Sequence, residues 1–178
     1  MTAIWGTKYG TILADPPWQF DDKLPGDGIR GAEKHYNTLC LPDMLQFLND
    51  WNIQIANDSR LFLWRVASMQ QEALMVMEEW GFKLKAEIVW KKLTSTGKRH
   101  FGMGRTVRME HEVCLIGQRG KPPVLNHSTR PVFEAKVSHH SKKPYEFYDI
   151  IESLSPGPYL EIFARNRRDG WDSIGDEL

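Results

Sequence analysis

Cysteine is scarce in this sequence. Its two residues, Cys40 and Cys114, stand far apart, which excludes a disulfide framework and points to a reducing compartment. The six histidines form no HExxH pattern, and no CxxC occurs, so no zinc site is expected and no metal ligand is nominated. A membrane span needs about 20 consecutive apolar residues, and no run approaches that length. The opening "MTAIWGTKYG" lacks a charged segment followed by an apolar stretch, so no signal peptide is expected and the chain reads as cytoplasmic. There is no GxxxxGK[ST] loop, which argues against a P-loop phosphotransferase. Net charge is lacking too: 23 Lys and Arg balance 23 Asp and Glu.

That neutral total hides an uneven distribution. Residues 91–143 hold twelve Lys and Arg against Glu110, Glu112 and Glu134, an excess of nine positive charges. A basic middle is compatible with a phosphate-rich partner on one face, or simply with solvated loops. The length of 178 residues, with 41% hydrophobic and 26% charged residues, fits one globular domain able to bury a core.

Periodicity supplies the elements. "YGTILA" (9–14) reads as a strand stopped by Pro16 and Pro17. Residues 19–40 are polar and glycine-rich and read as a long loop. "LPDMLQFLNDWNIQIA" has apolar residues at helical spacing, and "SRLFLWRV" (59–66) is a second strand. "SMQQEALMVMEEWG" predicts a helix capped by Ser68 and closed by Gly81. "FKLKAEIVWKK" and "EVCLIGQRG" are two further strands, with residues 118–141 largely irregular. "SKKPYEFYDIIESLSPG" predicts a helix between Ser141 and Gly157, "PYLEIFAR" (158–165) a last strand, and the C-terminal stretch a polar loop. Alternating strands and helices predict an α/β fold whose mostly parallel sheet is covered on both faces. Ligands in such folds sit beyond the carboxyl ends of strands, where Asp15 and Arg165 both fall.

The tetrad Asp15-Pro16-Pro17-Trp18 admits three readings. It is a stiff turn whose tryptophan packs on the core, or a carboxylate for a metal or general base, or a device that recognises an exocyclic amine. An aromatic amine is a poor nucleophile because its lone pair is delocalised into the ring. A carboxylate and a backbone carbonyl held around its protons would localise that pair. Prolines fix φ and offer carbonyls without competing donors, and a tryptophan offers a face to a base. Positioning and charge stabilisation would then supply most of the rate.

The chain resembles the adenine-N6 methyltransferases, a family that includes the catalytic subunit of the mRNA adenosine methyltransferase and many bacterial and phage DNA enzymes. The resemblance rests on "ADPPW" (14–18), "HYNTL" (35–39), "HFGMGRTVRMEHEVCLIGQRGKPP" (100–123), "HSKKPYEFYDIIESLSPGPYLEIFAR" (140–165) and "GWDSIGDE" (170–177), in the family's order. It implies a Rossmann-like S-adenosylmethionine-dependent methyltransferase fold over 1–178, permuted so that the catalytic strand comes first and the cofactor strand last. It further implies that Asp15, Pro16, Pro17 and Trp18 form the catalytic motif, with Asp15 and the Pro16 carbonyl as acceptors and Trp18 shaping the base pocket. Asp15, Lys143, Glu161, Phe163, Arg165, Asp176 and Glu177 would meet the cofactor. The last two depart from the amides more usual there, since carboxylates cannot donate hydrogen bonds. Phe163 reads equally as core, Arg165 as a partner of an acid, Lys143 as solvated, and the lone "GMG" at 102–104 as a turn.

Tyr36 and Glu112 would approach the target base. Lys98, Arg99, Arg105 and Arg108, with Phe101, Trp90 and His100 interspersed, would hold phosphates and flanking bases. By likeness to compact members, the expectation is a bacterial or phage enzyme acting on DNA, specifically an adenine-N6 DNA methyltransferase that flips its target out of the duplex. The same reaction on RNA, and a non-catalytic partner subunit, are the alternatives. Among partners, nucleic acid is expected, with DNA ahead of RNA, no membrane is expected, and a homodimer is compatible with the resemblance.

Overall fold

The computed structural model describes residues 6–18, 39–102, 106–138 and 142–175. Its elements run β1 (Tyr9–Ala14), α1 (Leu41–Asp50), β2 (Ile55–Arg65), α2 (Gln70–Glu79), β3 (Lys83–Leu93), β4 (His111–Arg119), β5 (Val132–Lys136), α3 (Glu146–Leu154), β6 (Tyr159–Ile162) and β7 (Trp171–Ile174). The strands form one sheet in the order β5-β3-β4-β2-β1-β6-β7. β1 pairs in parallel with β2 and β6, β3 with β5, and β6 with β7. β4 runs antiparallel to both β2 and β3. This mixed, mainly parallel sheet with flanking helices is the α/β, Rossmann-like methyltransferase architecture expected from the sequence.

Strand alternation divides the core in two. Leu61 and Leu63 of β2 and Val113 and Leu115 of β4 face one side, where Met44, Phe47 and Leu48 of α1 and Ala73, Val76 and Met77 of α2 cover them. Phe62, Trp64, Cys114 and Ile116 face the other, under Phe147 and Ile151 of α3. In each helix the buried residues recur at three- and four-residue spacing, so one stripe meets the sheet.

α1 ends earlier than expected because Asn52 takes a left-handed φ of 49°. There, Asn52 N–H donates to the Asn49 carbonyl and Ile53 N–H to that of Leu48. Asparagine tolerates this conformation, and the chain after it is free to enter β2. α2 closes by the same two bonds around Gly81, at φ 82°, where the sequence placed its stop. Its start differs: Ala67–Met69 form a 3-10 turn and Met69 occupies the N-cap, so Ser68 caps nothing. α3 is shorter than its sequence pattern, with Tyr145 at the N-cap and Ser155 at the C-cap, and Ser141 lies outside the described residues. The last sequence-predicted strand stops at Ile162.

Two strands escaped the sequence reading. β5 lies in the stretch expected to be irregular and β7 in the expected C-terminal loop. Each is short and sits at a sheet edge, so its regular structure comes from the ladder beside it more than from its own pattern.

α2 and the residue that follows its stop press closely on the sheet at Gly117 of β4. A β-carbon there would lie 2.9 Å from Phe82 Cβ and 3.1 Å from Met77 Sδ. Gly117→Ala should therefore overpack the contact beneath α2 and destabilise by about 1–3 kcal/mol, read as a fall in Tm. An unchanged Tm would mean that α2 does not pack this tightly.

Candidate active site

β1 lies between β2 and β6, and α1, which leads into β2, and α3, which leads into β6, cover opposite faces of the sheet, so a crevice opens beyond its carboxyl end. The tetrad begins there. The Trp18 N–H donates to the Pro16 carbonyl at 2.9 Å, closing a tight turn over Pro17, and Leu39 N–H donates to the Pro17 carbonyl at 3.1 Å. Such a three-residue turn suits proline's fixed φ. The Trp18 ring is only 3% exposed and lies in the core on the α1–α2 side, with its indole N–H donating to the Trp64 carbonyl at 3.2 Å. Trp18 is thus a wall of the crevice and cannot offer an open face to a base. The Pro16 carbonyl retains one lone pair beyond the one used in the turn.

Four charged groups converge on the crevice. Lys143 Nζ lies 2.7 Å from both Asp15 carboxylate oxygens and 3.3 Å from Glu112 Oε2. Lys92 holds the other Glu112 oxygen. The two ammonium groups also sit 5.2 Å and 5.0 Å from the ring centroids of Trp64 and Trp90. Burial would push Glu112 up, but Lys143 and Lys92 outweigh it and hold the carboxyl below its usual range. Burial would likewise lower Lys143, yet Asp15 and Glu112 keep its ammonium above the ordinary value.

Two cavities meet at this cluster. One, of about 290 Å³, is lined by Asp15, Pro16, Pro17 and Trp18 with Trp64, Arg65, Lys92, His111, Glu112, Lys143 and Arg165. The other, of about 160 Å³, is lined by Asp15, Trp64 and Lys143 with Tyr145, Tyr148, Glu161, Phe163, Arg165, Asn166 and Arg168. Asp15, Trp64, Lys143 and Arg165 are common to both, so the shared wall is where two bound molecules would touch.

The second cavity is built on β6. Ala14 and Ile162 are register partners, which brings Asp15 and Phe163 level beyond the strand ends. Phe163 takes a left-handed φ of 64°, costly for a bulky side chain, and its ring packs against Phe47 at 4.6 Å between centroids. It is both core and cavity wall. Glu161 is buried, and both its carboxylate oxygens lie 2.9 Å from the Tyr148 hydroxyl. Burial pushes its carboxyl up to about 7 against the opposing pull of that hydrogen bond. Arg168 binds Glu152 and Asp149 of α3 and stacks on Tyr145 and Tyr148. Its Nη1 is buried with no partner. Carboxylates for hydroxyl or ammonium donors, cations for a carboxylate, and an orphan donor form a set that fits an amino-acid zwitterion joined to a ribose.

Other nominated residues lie elsewhere. Lys98, Arg99 and Arg108 belong to the exposed loop between β3 and β4 and line neither cavity. Lys98 closes a turn with Thr94, Arg99 Nε lies 3.9 Å from Glu110, and Arg108 sits over the exposed Phe101 ring at 5.3 Å. Tyr36, Arg105, Asp176 and Glu177 lie outside the described residues. The structure adds Trp64, Arg65, Lys92, Tyr148 and Arg168. The first two end β2, beside β1, so the rule that drew attention to the ends of β1 and β6 could have found them.

The MT-A70 family profile matches residues 9–177. The chain belongs to the MT-A70 family. It is 34% identical over 181 residues to the N(6)-adenosine-methyltransferase MT-A70-like protein of Arabidopsis thaliana, covering 98% of this chain and 24% of that protein. It is 33% identical over 179 residues to the N(6)-adenosine-methyltransferase catalytic subunit METTL3 of Homo sapiens, covering 96% and 28%. With the Type II methyltransferase M.MunI of a Mycoplasma species it shares 30% over 190 residues, covering 96% and 78%. The chain thus spans about a quarter of the length of its plant and animal relatives. Membership in the family brings S-adenosylmethionine as methyl donor.

The expectation of a bacterial or phage DNA-type enzyme is overturned. So are the DNA methyltransferase activity and the preference for DNA as partner. The plant, insect, fish and mammalian relatives are named for adenosine, a ribonucleoside. Compactness does not separate DNA enzymes from RNA enzymes, and nothing in the motif pattern reads the sugar.

The buried Glu161 generates a test of the site's electrostatics. The unfolded chain ionises near 4.5 and the folded one near 7, so the folded state holds the proton longer. Stability from this group is therefore full below about 4.5 and is lost as pH rises to about 7. From pH 5 to 8 the wild-type Tm should fall relative to that of Glu161→Gln. A constant gap between the two melting curves would contradict the buried environment.

Proposed function

We propose that this chain methylates N6 of adenosine in RNA with S-adenosylmethionine as donor. The observation that carries the reading is the pair of acceptors formed by Asp15, on the wall shared by two cavities, and Pro16 beside it in the larger one. The adenosine-specific names of the relatives support RNA as the substrate class. The cofactor, when bound, supplies an electrophilic methyl group on a sulfonium.

In this reading the smaller cavity takes the cofactor. Lys143 and Arg165 are placed to bind its carboxylate, Asp15 its ammonium, and Glu161 a ribose hydroxyl, with Tyr148 orienting Glu161. Phe163 forms the apolar wall. The larger cavity takes the adenine, which single-stranded RNA presents without breaking a duplex.

The exocyclic amine would donate its two protons to the Asp15 carboxylate and the Pro16 carbonyl, fixing the amine's orientation and favouring a localised lone pair. Lys143 already shows how Asp15 receives an N–H donor at 2.7 Å. Glu112 keeps Lys143 charged and in place, so the ammonium remains close when the amine takes over one of its bonds to Asp15. Trp64 would exclude water from the shared wall, and Trp18 from the floor of the larger cavity.

Transfer of labelled methyl to matched RNA and DNA strands, followed by nucleoside analysis, tests the proposal. N6-methyladenosine in RNA is the expected product. Methylation of DNA alone, or no product despite cofactor binding, would overturn it. Asp15→Asn should lower turnover on RNA by at least about 100-fold with RNA affinity changed little, and near-normal turnover would remove Asp15 from the chemistry.

A further inference from the structure

The larger cavity contains a cation that the chemistry above does not use. Arg65 is the last residue of β2, two positions beyond Leu63, the register partner of Ala14. It faces the same crevice as Asp15 and Pro16. Lys92 and Lys143 in this cavity are committed to carboxylates, and Arg165 has interactions of its own. The Arg65 side chain makes no hydrogen bond or ion pair among the described residues, and its Nε is buried without a partner. A long basic side chain that merely covers apolar surface carries its polar head out to water. A buried guanidinium N–H left unmatched costs free energy that a bound acceptor would recover.

Arg65 lines the larger cavity and is absent from the smaller one. The molecule that fills the larger cavity would supply its acceptor, and a guanidinium without a counter-ion is matched best by an anion. An adenine has no anionic group, so within an RNA strand that anion is a phosphate beside the target nucleotide. The planar guanidinium suits a phosphate through two parallel N–H donors. Resting on the RNA reading above, we infer that Arg65 binds the phosphodiester adjoining the target adenosine and so sets which nucleotide of the strand reaches Asp15. It is a positioning residue and touches no reacting atom.

The test pairs a protein change with a backbone change. A short single-stranded RNA with one adenosine is made with a neutral methylphosphonate linkage on the 5′ side or the 3′ side of that adenosine. Binding is measured by fluorescence anisotropy for wild type, Arg65→Gln and Arg65→Lys, with cofactor affinity measured by calorimetry as a check on folding. One of the two neutral linkages should weaken wild-type binding roughly tenfold or more. The same linkage should leave Arg65→Gln unaffected, and Arg65→Lys should fall between them. The salt dependence of log K for Arg65→Gln should also flatten by about 0.7, the contribution of one phosphate contact on a single strand.

If wild type binds and methylates the RNA but both linkages weaken wild type and Arg65→Gln equally, or neither does, the inference about Arg65 fails while the functional reading stands. If wild type neither binds nor methylates RNA, the functional reading fails and this inference with it.

Discussion

The Lys143 ammonium holds the crevice together. It joins Asp15, at the end of β1, to Glu112 of β4, across 128 residues of sequence in the first case. Glu112 in turn is held by Lys92 near the end of β3. The end of β1, the neighbouring ends of β3 and β4 and the segment before α3 are thereby tied at one point. The side chains of Lys143 and Asp15 are less than a fifth exposed, so the desolvation of each ion must be offset by its neighbours. Removing the lysine would leave two carboxylates facing each other in a poorly solvated site, which explains why the surrounding indoles and strand ends are so fully packed.

This ion chain also divides the crevice. Asp15, Lys143 and Trp64 form a partition with a cavity on either side. A methyl donor and a methyl acceptor need such a partition to be thin and polar at one spot, because transfer requires the reacting atoms at about 3–3.5 Å. In the proposed reading the Asp15 carboxylate is that spot, with the target on one side of it and the donor on the other. Tight turns fix the backbone on the target side through Pro16 and Pro17. On the donor side the left-handed Phe163 bends the chain abruptly out of β6, allowing Arg165 to return to the partition.

Much of this arrangement was legible in the sequence because the information is local. Prolines directly after an apolar run mark a strand end, and the two ends at Asp15 and Arg165 proved to be neighbours because β1 and β6 pair. Helix stops at Asn52 and Gly81 have local causes too, although only the glycine was recognised. What was not legible depends on partners distant in sequence. β5 and β7 are strands only because β3 and β6 offer ladders. Trp18 was given an open face that its burial denies. Arg65 drew no attention because an arginine ending a strand is ordinary until its neighbours are known to leave it unmatched. Choice between RNA and DNA rests on contacts with a 2′-hydroxyl, for which a linear motif carries no signature.

The basic excess in residues 91–143 looks different once the ion pairs are placed. Its three glutamates are all engaged within the segment: Glu110 with Arg99, Glu112 with Lys92 and Lys143, Glu134 with Lys91. Lys143 is further neutralised by Asp15. The charge left for a nucleic acid is therefore carried largely by exposed groups such as Lys98 and Arg108, on the loop beside the crevice. Charges so exposed attract a strand without fixing its register, because their contacts are screened and adaptable. Register needs a donor that is rigid and partly buried next to the reacting base. Pro16, Pro17 and the packed Trp18 give the crevice one fixed edge, and under the inference drawn above Arg65 on the neighbouring strand would supply a second point from which a nucleotide is aligned.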